Sequence, residues 1–544
     1  MLAKNSWLNI DLLLIFAWAL LVVYSLLIND APVVIWPAIA SLPGVINMND
    51  ITLLSQDFYA MSSQGSPVII YQKILFFIES VSGLGPFKSL GMIGTLVVAF
   101  YIPTLFFLLA YALNRWISRS QTEVKRENQL NTFIIILIFI ACIFLIQFSQ
   151  IFNSVFGFMG WPPIFLIPAP YIISMLIGFS AFLFKTKYIH AVLCMVSCLI
   201  HPTMGGATII FGSLLFTDFK SRKEILNLIL WSFIPVGLAY LILILNFPQQ
   251  RLGSIDFIDI YIKYRHPHHY LISESFNVMK YFIVIVTPLS IMYLILARLK
   301  SGMKINCFLA LVVITLIPLF HYIFTEVYAI KEVAILGATR FFMLCLFLLI
   351  FFGVVTAVEL LNSFKPLSFF RYQLYFINRL FARFRSLLNR NTALTFIIMF
   401  LMLSIPMFGF ATKEFDRIDR DEIKFNSTYK NILYTIQRND VVMVLDADSF
   451  GFGLLGRVNL FASGAFPFST SKFHEFKIRG ELWSACKKKL NKDTVTAAAK
   501  NYKLDSILMK KDRLLSINED MILSQSDDLV LIDVKKYLQS FNGE

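Results

Sequence analysis

Histidine is scarce in this chain, seven in 544 residues, and unevenly placed. His266, His268 and His269 crowd around Pro267 directly after Arg265, and His201 precedes Pro202 inside an otherwise apolar run. Imidazole titrates near neutrality, so histidines converging on one side of a membrane describe a polar cavity facing that side; solvated loop residues are the plainer account. The trio is poorly spaced for a metal, because adjacent His268 and His269 on an extended segment point to opposite faces. A divalent metal is left open, and no cofactor is assigned. Upstream, NMNDITLLSQDFYA carries Asp50 and Asp57. A carboxylate at a membrane surface, facing cations from other loops, serves as a general base or simply sits in water. The cations available to it are Arg251, Lys263, Arg265, Lys331 and Arg340. Arg340 begins an apolar stretch, where its fork suits a lipid phosphate or snorkels to the surface.

A membrane is what positions these residues. The chain is 57% hydrophobic, its mean hydropathy is +0.70, and apolar runs of spanning length recur. The central run, Lys185 to Asp218, is too long for one ordinary crossing and is broken by His201-Pro202 and Gly205-Gly206. Cations flank both of its ends, Lys185 and Lys187 before, Lys220, Arg222 and Lys223 after, so the positive-inside rule puts both in the cytoplasm. It reads as a hairpin of two short helices that dips in and returns. With that choice the remaining basic loops fall on one side, and residues 29–86, 246–280 and 411–544 fall on the other. The expected fold is a polytopic α-helical membrane protein of about ten spans plus the hairpin, residues 1–411. A small extracytoplasmic α/β domain, 412–544, follows, with β-like runs at 441–445, 506–510 and 529–534.

Several features are topology signals or packing. The net charge of +14 sits in short loops between apolar stretches, which accounts for it without nucleic acid. Five of the six cysteines lie in apolar runs, so no disulfide framework is expected. Asp11 to Ile28 reads as an anchor, and Phe370, Leu374, Ile377, Phe381, Phe384 and Leu388 share one face of an interfacial helix. Gly451, Gly453 and Gly456 match a dinucleotide fingerprint in letters, but a glycine-rich turn is the better account.

Taken together, Asp57-Phe58-Tyr59 with Ser66-Pro67, His201-Pro202, Arg265 to His269, Arg340, and Phe466-Pro467-Phe468 before Arg479 resemble the GT-C superfamily of polytopic membrane glycosyltransferases, in a bacterial branch. The resemblance implies an enzyme of the bacterial cytoplasmic membrane. It would transfer a sugar from a polyprenyl-phosphate donor to a glycan, lipid or protein acceptor on the extracytoplasmic side. It further implies Asp57 as general base, Arg340 on the donor phosphate, and His201 with Arg265, His266, His268 and His269 lining the cavity. The chain departs from better-known branches in lacking an Asp-x-Asp or Glu-x-Asp pair in the first loop and in carrying His201 where Lys or Arg is frequent. A flippase for a lipid-linked saccharide, built on a broken helix, and a surface-polysaccharide polymerase or ligase stand as alternatives.

Overall fold

The computed structural model describes residues 18–24, 26, 35–63, 68–120, 170–184, 186–246, 254–265, 271–275, 281–334, 342–363, 392–447, 449–462, 472–513, 518–526 and 528–541. The chain divides into two compact units, each assembled from separated segments. The first comprises Met1–Pro32, Gly94–Leu243 and His266–Ala411; the second comprises Val33–Ile93, Ile244–Arg265 and Thr412–Glu544.

The first unit is helical, and it corrects the expectation of about ten spans. Among the described residues two helices, Arg222–Asn246 and Lys304–Val327, are long and apolar enough to cross a membrane, which is compatible with membrane association. A third counts only if the pair Val68–Ser82 and Pro86–Val97, bent by 104°, is one span. Other apolar stretches form shorter helices, Pro170–Ala181, Lys187–Ile200, Pro202–Phe216, Phe282–Arg298 and Phe347–Leu360. Fourteen residues, as in Lys187–Ile200, rise only about 21 Å against a hydrocarbon core of about 30 Å. Hydropathy counts apolar residues but does not register where the backbone bends. The stretch Phe133 to Ile151 and the interfacial helix around Phe370 to Leu388 lie outside the described residues.

Within this unit the central run breaks where its sequence is weakest. His201 is extended, at φ −150° and ψ 97°, ending one helix and capping the next. Pro202 then opens the second helix, where its missing N–H costs nothing. The two helices pack closely at Gly205, whose added Cβ would stand 2.7 Å from the Cys198 Cα. Helix Pro170–Ala181 joins them through paired serines: Ser174 Oγ donates to the Ser197 carbonyl at 2.8 Å and Ser197 Oγ to the Ser174 carbonyl at 2.7 Å. Small polar residues of this kind let helices approach and bond where water is absent.

The second unit holds a five-stranded sheet: β1 Val441–Val444, β2 Asn459–Leu460, β3 Leu504–Lys510, β4 Ile522–Gln525 and β5 Leu529–Asp533. Their order is β2-β1-β3-β5-β4, with β2, β1 and β3 parallel and β5 and β4 antiparallel. Strands β1, β3 and β5 are covered on both faces, which is why they read as continuous apolar runs rather than alternating ones. Met443, Ile507 and Ile532 join one core with Val495 and Tyr537; Val442, Leu508 and Leu531 join the other with Phe452 and Ile432. The glycine run belongs to the six-residue helix Ser449–Leu454 and the residues after it, rather than to a plain turn. An added Cβ at Gly453 would stand 2.7 Å from Leu460, so close packing accounts for that glycine without a phosphate.

Candidate functional site

Asp57 precedes the short helix Phe58–Ser63, and the geometry around it is complete. Its Oδ1 accepts from the backbone N–H groups of Tyr59 at 2.9 Å and Ala60 at 2.8 Å, the arrangement of an N-cap. Its Oδ2 accepts from Leu460 N at 3.1 Å. Strand β2 lies at the sheet edge, so Asp57 satisfies a backbone donor that the ladder leaves over. Neighbouring contacts extend this clamp: Asn459 Oδ1 accepts from Gln56 N at 3.2 Å, and Arg438 donates to Thr52 Oγ1 at 2.9 Å. Asp57 is 2% exposed. Burial pushes its carboxyl up to about 6, against the backbone donors and the charge of Arg479, which pull it down.

Arg479, on helix Phe473–Lys488, occupies the adjoining space. Its guanidinium lies 4.8 Å from the centroid of Phe58, 5.3 Å from that of Phe461 and 4.9 Å from that of Tyr502. It donates through Nε and Nη2 to Glu475 Oε1 and through Nη1 to the Phe461 carbonyl. Burial works against the Glu475 carboxylate, but Lys472 and Arg479 outweigh it and hold the group below its usual range. A delocalised, weakly hydrated cation tolerates this enclosure as a lysine ammonium does not. The segment ending in Arg265 packs on the same helix, with Phe257 against Phe473 and Tyr264 edge-on to Phe476.

In the sequence Arg479 stands out only as part of the family resemblance, and its aromatic partners do not stand out at all. Glu475 and Arg479 at i and i+4 are a legible helix pair. Phe58, Phe461 and Tyr502 arrive from three distant segments, and no spacing announces them.

His201 belongs to the first unit. Its Nδ1 accepts from Met204 N at 3.2 Å, so that nitrogen is unprotonated and the ring serves as a helix cap. Its carbonyl accepts from Gly205 N at 2.8 Å, and Tyr240 OH donates to the Pro202 carbonyl at 2.8 Å. Asp57 and the end of the 258–265 helical segment at Arg265 therefore share the second unit, while His201 lies in the first. His266, His268, His269 and Arg340 lie outside the described residues. Among the described residues no three His, Cys, Asp or Glu side chains are grouped to hold a metal ion.

Comparison with protein-family models, with curated proteins and with solved structures finds no match to this chain.

Proposed function

We propose that the chain is a membrane-bound glycosyltransferase of a bacterial cytoplasmic membrane, moving a sugar from a polyprenyl-phosphate donor to a glycan, lipid or protein acceptor on the extracytoplasmic side. The observation that carries this reading is the make-up of the second unit: Val33–Ile93, Ile244–Arg265 and Thr412–Glu544. Those segments fall within, or nearly within, the three regions that the distribution of cations assigns to one side of the membrane. Their packing into one unit favours a common side of the membrane for all three. The same unit holds Asp57, Arg479 and the segment ending in Arg265, and outside the cytoplasm a lipid-carried donor is the available form of activated sugar.

In the reaction, an acceptor hydroxyl oxygen attacks the anomeric carbon, the carbon–oxygen bond to the phosphate breaks, and polyprenyl phosphate leaves. The hydroxyl proton passes to a base. The resemblance gives Asp57 that role, with Arg340 on the leaving phosphate. The contacts around Asp57 favour its holding the 50–57 loop against the sheet edge, and a substitution described below separates the two roles.

The test is the purified full chain in liposomes with a polyprenyl-phosphate carrying a radiolabelled sugar and an extract of envelope glycans and lipids as acceptor. Release of polyprenyl phosphate with label in a new glycosidic bond is the expected result. The break at His201 between two short helices favours a second reading, a flippase, since such half-helices line substrate sites in transporters. Label that crosses the bilayer still attached to its lipid would overturn the transferase and support that reading.

A further inference from the structure

Helices Lys187–Ile200 and Arg222–Asn246 border a cavity of about 180 Å³ that the proposed reaction does not use. On its wall the Lys187 ammonium donates to Asn227 Oδ1 at 3.0 Å and lies 5.7 Å from the centroid of the Trp231 ring. His190 is also there, with its ring turned to protein partners. Its Nδ1 is 2.9 Å from the Ala181 carbonyl, which can only accept, so Nδ1 carries the proton. Its Nε2 is 2.7 Å from the Ser232 hydroxyl, so both ring nitrogens are engaged by the protein. Glu224, the carboxylate among the lining residues, has Oε2 turned to Asp218 N at 2.8 Å. The positive group facing the cavity is Lys187, and an ammonium with three donors has given one to Asn227.

The surroundings indicate which anion fits. On either side of Trp231 the same helix exposes Leu230, Phe233, Ile234, Leu238, Leu241 and Leu245, which with Ile229, Ile242 and Ile244 make a broad apolar stripe. At the polar end of that stripe Tyr188, exposed, meets the Trp231 ring edge-on at 5.2 Å. Lys220, Arg222 and Lys223 stand exposed at this same end of the helix. Trp, Tyr and basic residues at the end of an apolar stripe are what proteins present to the headgroup layer, and basic pockets there take lipid phosphates. A free anion would need the cation but not the stripe. We propose that this cavity binds the phosphate of a membrane phospholipid, with the headgroup against Lys187 and Asn227 and the acyl chains along the exposed stripe of Arg222–Asn246.

The experiment is native mass spectrometry of the full chain in detergent, titrated with phosphatidylglycerol. Losing one charge-assisted hydrogen bond, Lys187→Gln is expected to bind the lipid about tenfold more weakly, and Lys187→Arg to restore most of that. Lys223→Gln, the same change in net charge on a residue that does not line the cavity, is expected to stay within about twofold of the parent. Equal weakening by Lys187→Gln and Lys223→Gln would leave only diffuse surface attraction and overturn the site. Displacement of the lipid by millimolar inorganic phosphate would assign the cavity to a free anion and overturn the lipid. If Lys187→Gln fails to fold, as judged by circular dichroism, Asn227→Leu carries the same comparison.

Discussion

Asp57 accepts from three backbone N–H groups at once, two in its own helix and one on strand β2. Its folded pKa of about 6 stands above an unfolded value near 3.9, so between those values the folded chain holds a proton that the unfolded chain has lost. The sign follows: the contribution of this group is fully present below about pH 4 and fades as pH rises through about 6, by at most roughly 3 kcal/mol. Asp57→Asn removes a titrating group while keeping Oδ1 for Tyr59 and Ala60. It also turns an amide N–H toward Leu460 N, a donor facing a donor, worth about 1–3 kcal/mol of lost stability near pH 4. Denaturant titrations of the full chain from pH 4 to 7 should show a downward slope in the parent that is missing from the variant. The variant's catalytic behaviour then separates the two roles. Transfer that falls only in proportion to folded protein marks Asp57 as a tether, while a folded but inactive variant at neutral pH marks it as the base.

At the scale of elements, the hairpin rests on one cap and one close approach. His201→Asn keeps an acceptor for Met204 N, whereas His201→Ala loses it and should cost about 1 kcal/mol. Thermal unfolding that ranks Asn with Ala would show that the His201 ring does not stabilise the helix start. Gly205→Ala drives a methyl into the backbone of Cys198 and should cost about 1–3 kcal/mol, while Gly85→Ala, which meets nothing within 4 Å, should be near neutral. These breaks were legible in the sequence because Pro202 and Gly205 act locally on the backbone. So were β1, β3 and β5, whose burial on both faces leaves unbroken apolar letters. Strand β2 has two residues, and β4 alternates half-buried with exposed positions at an edge, so neither has enough apolar pattern to stand out. The cage around Arg479 was hidden for a different reason: its walls meet only after the sheet has formed.

At the scale of the molecule, the described residues hold fewer helices of spanning length than the apolar runs suggest, because continuous hydropathy masks bends, yet the cation bias groups segments that the second unit brings together. That grouping predicts a labelling pattern in intact cells. Gly85→Cys, with open space around it, and Tyr434→Cys, 81% exposed, lie in different segments of the same unit. Both should react with a membrane-impermeant maleimide, against a low background from the described native cysteines, all buried. Reaction at one position and not the other would place the bilayer between them and overturn the shared side.

The bond from Leu460 N to Asp57 joins residues 403 positions apart. At about 5–20 residues per second, a ribosome takes roughly 20 to 80 s to cover that distance. Throughout that interval Phe58, wholly buried in the finished protein, has no strand or arginine to cover it. The first segment must therefore wait, held by membrane or chaperone, and a chain that stops short of Arg479 would leave it unsheltered and open to proteolysis.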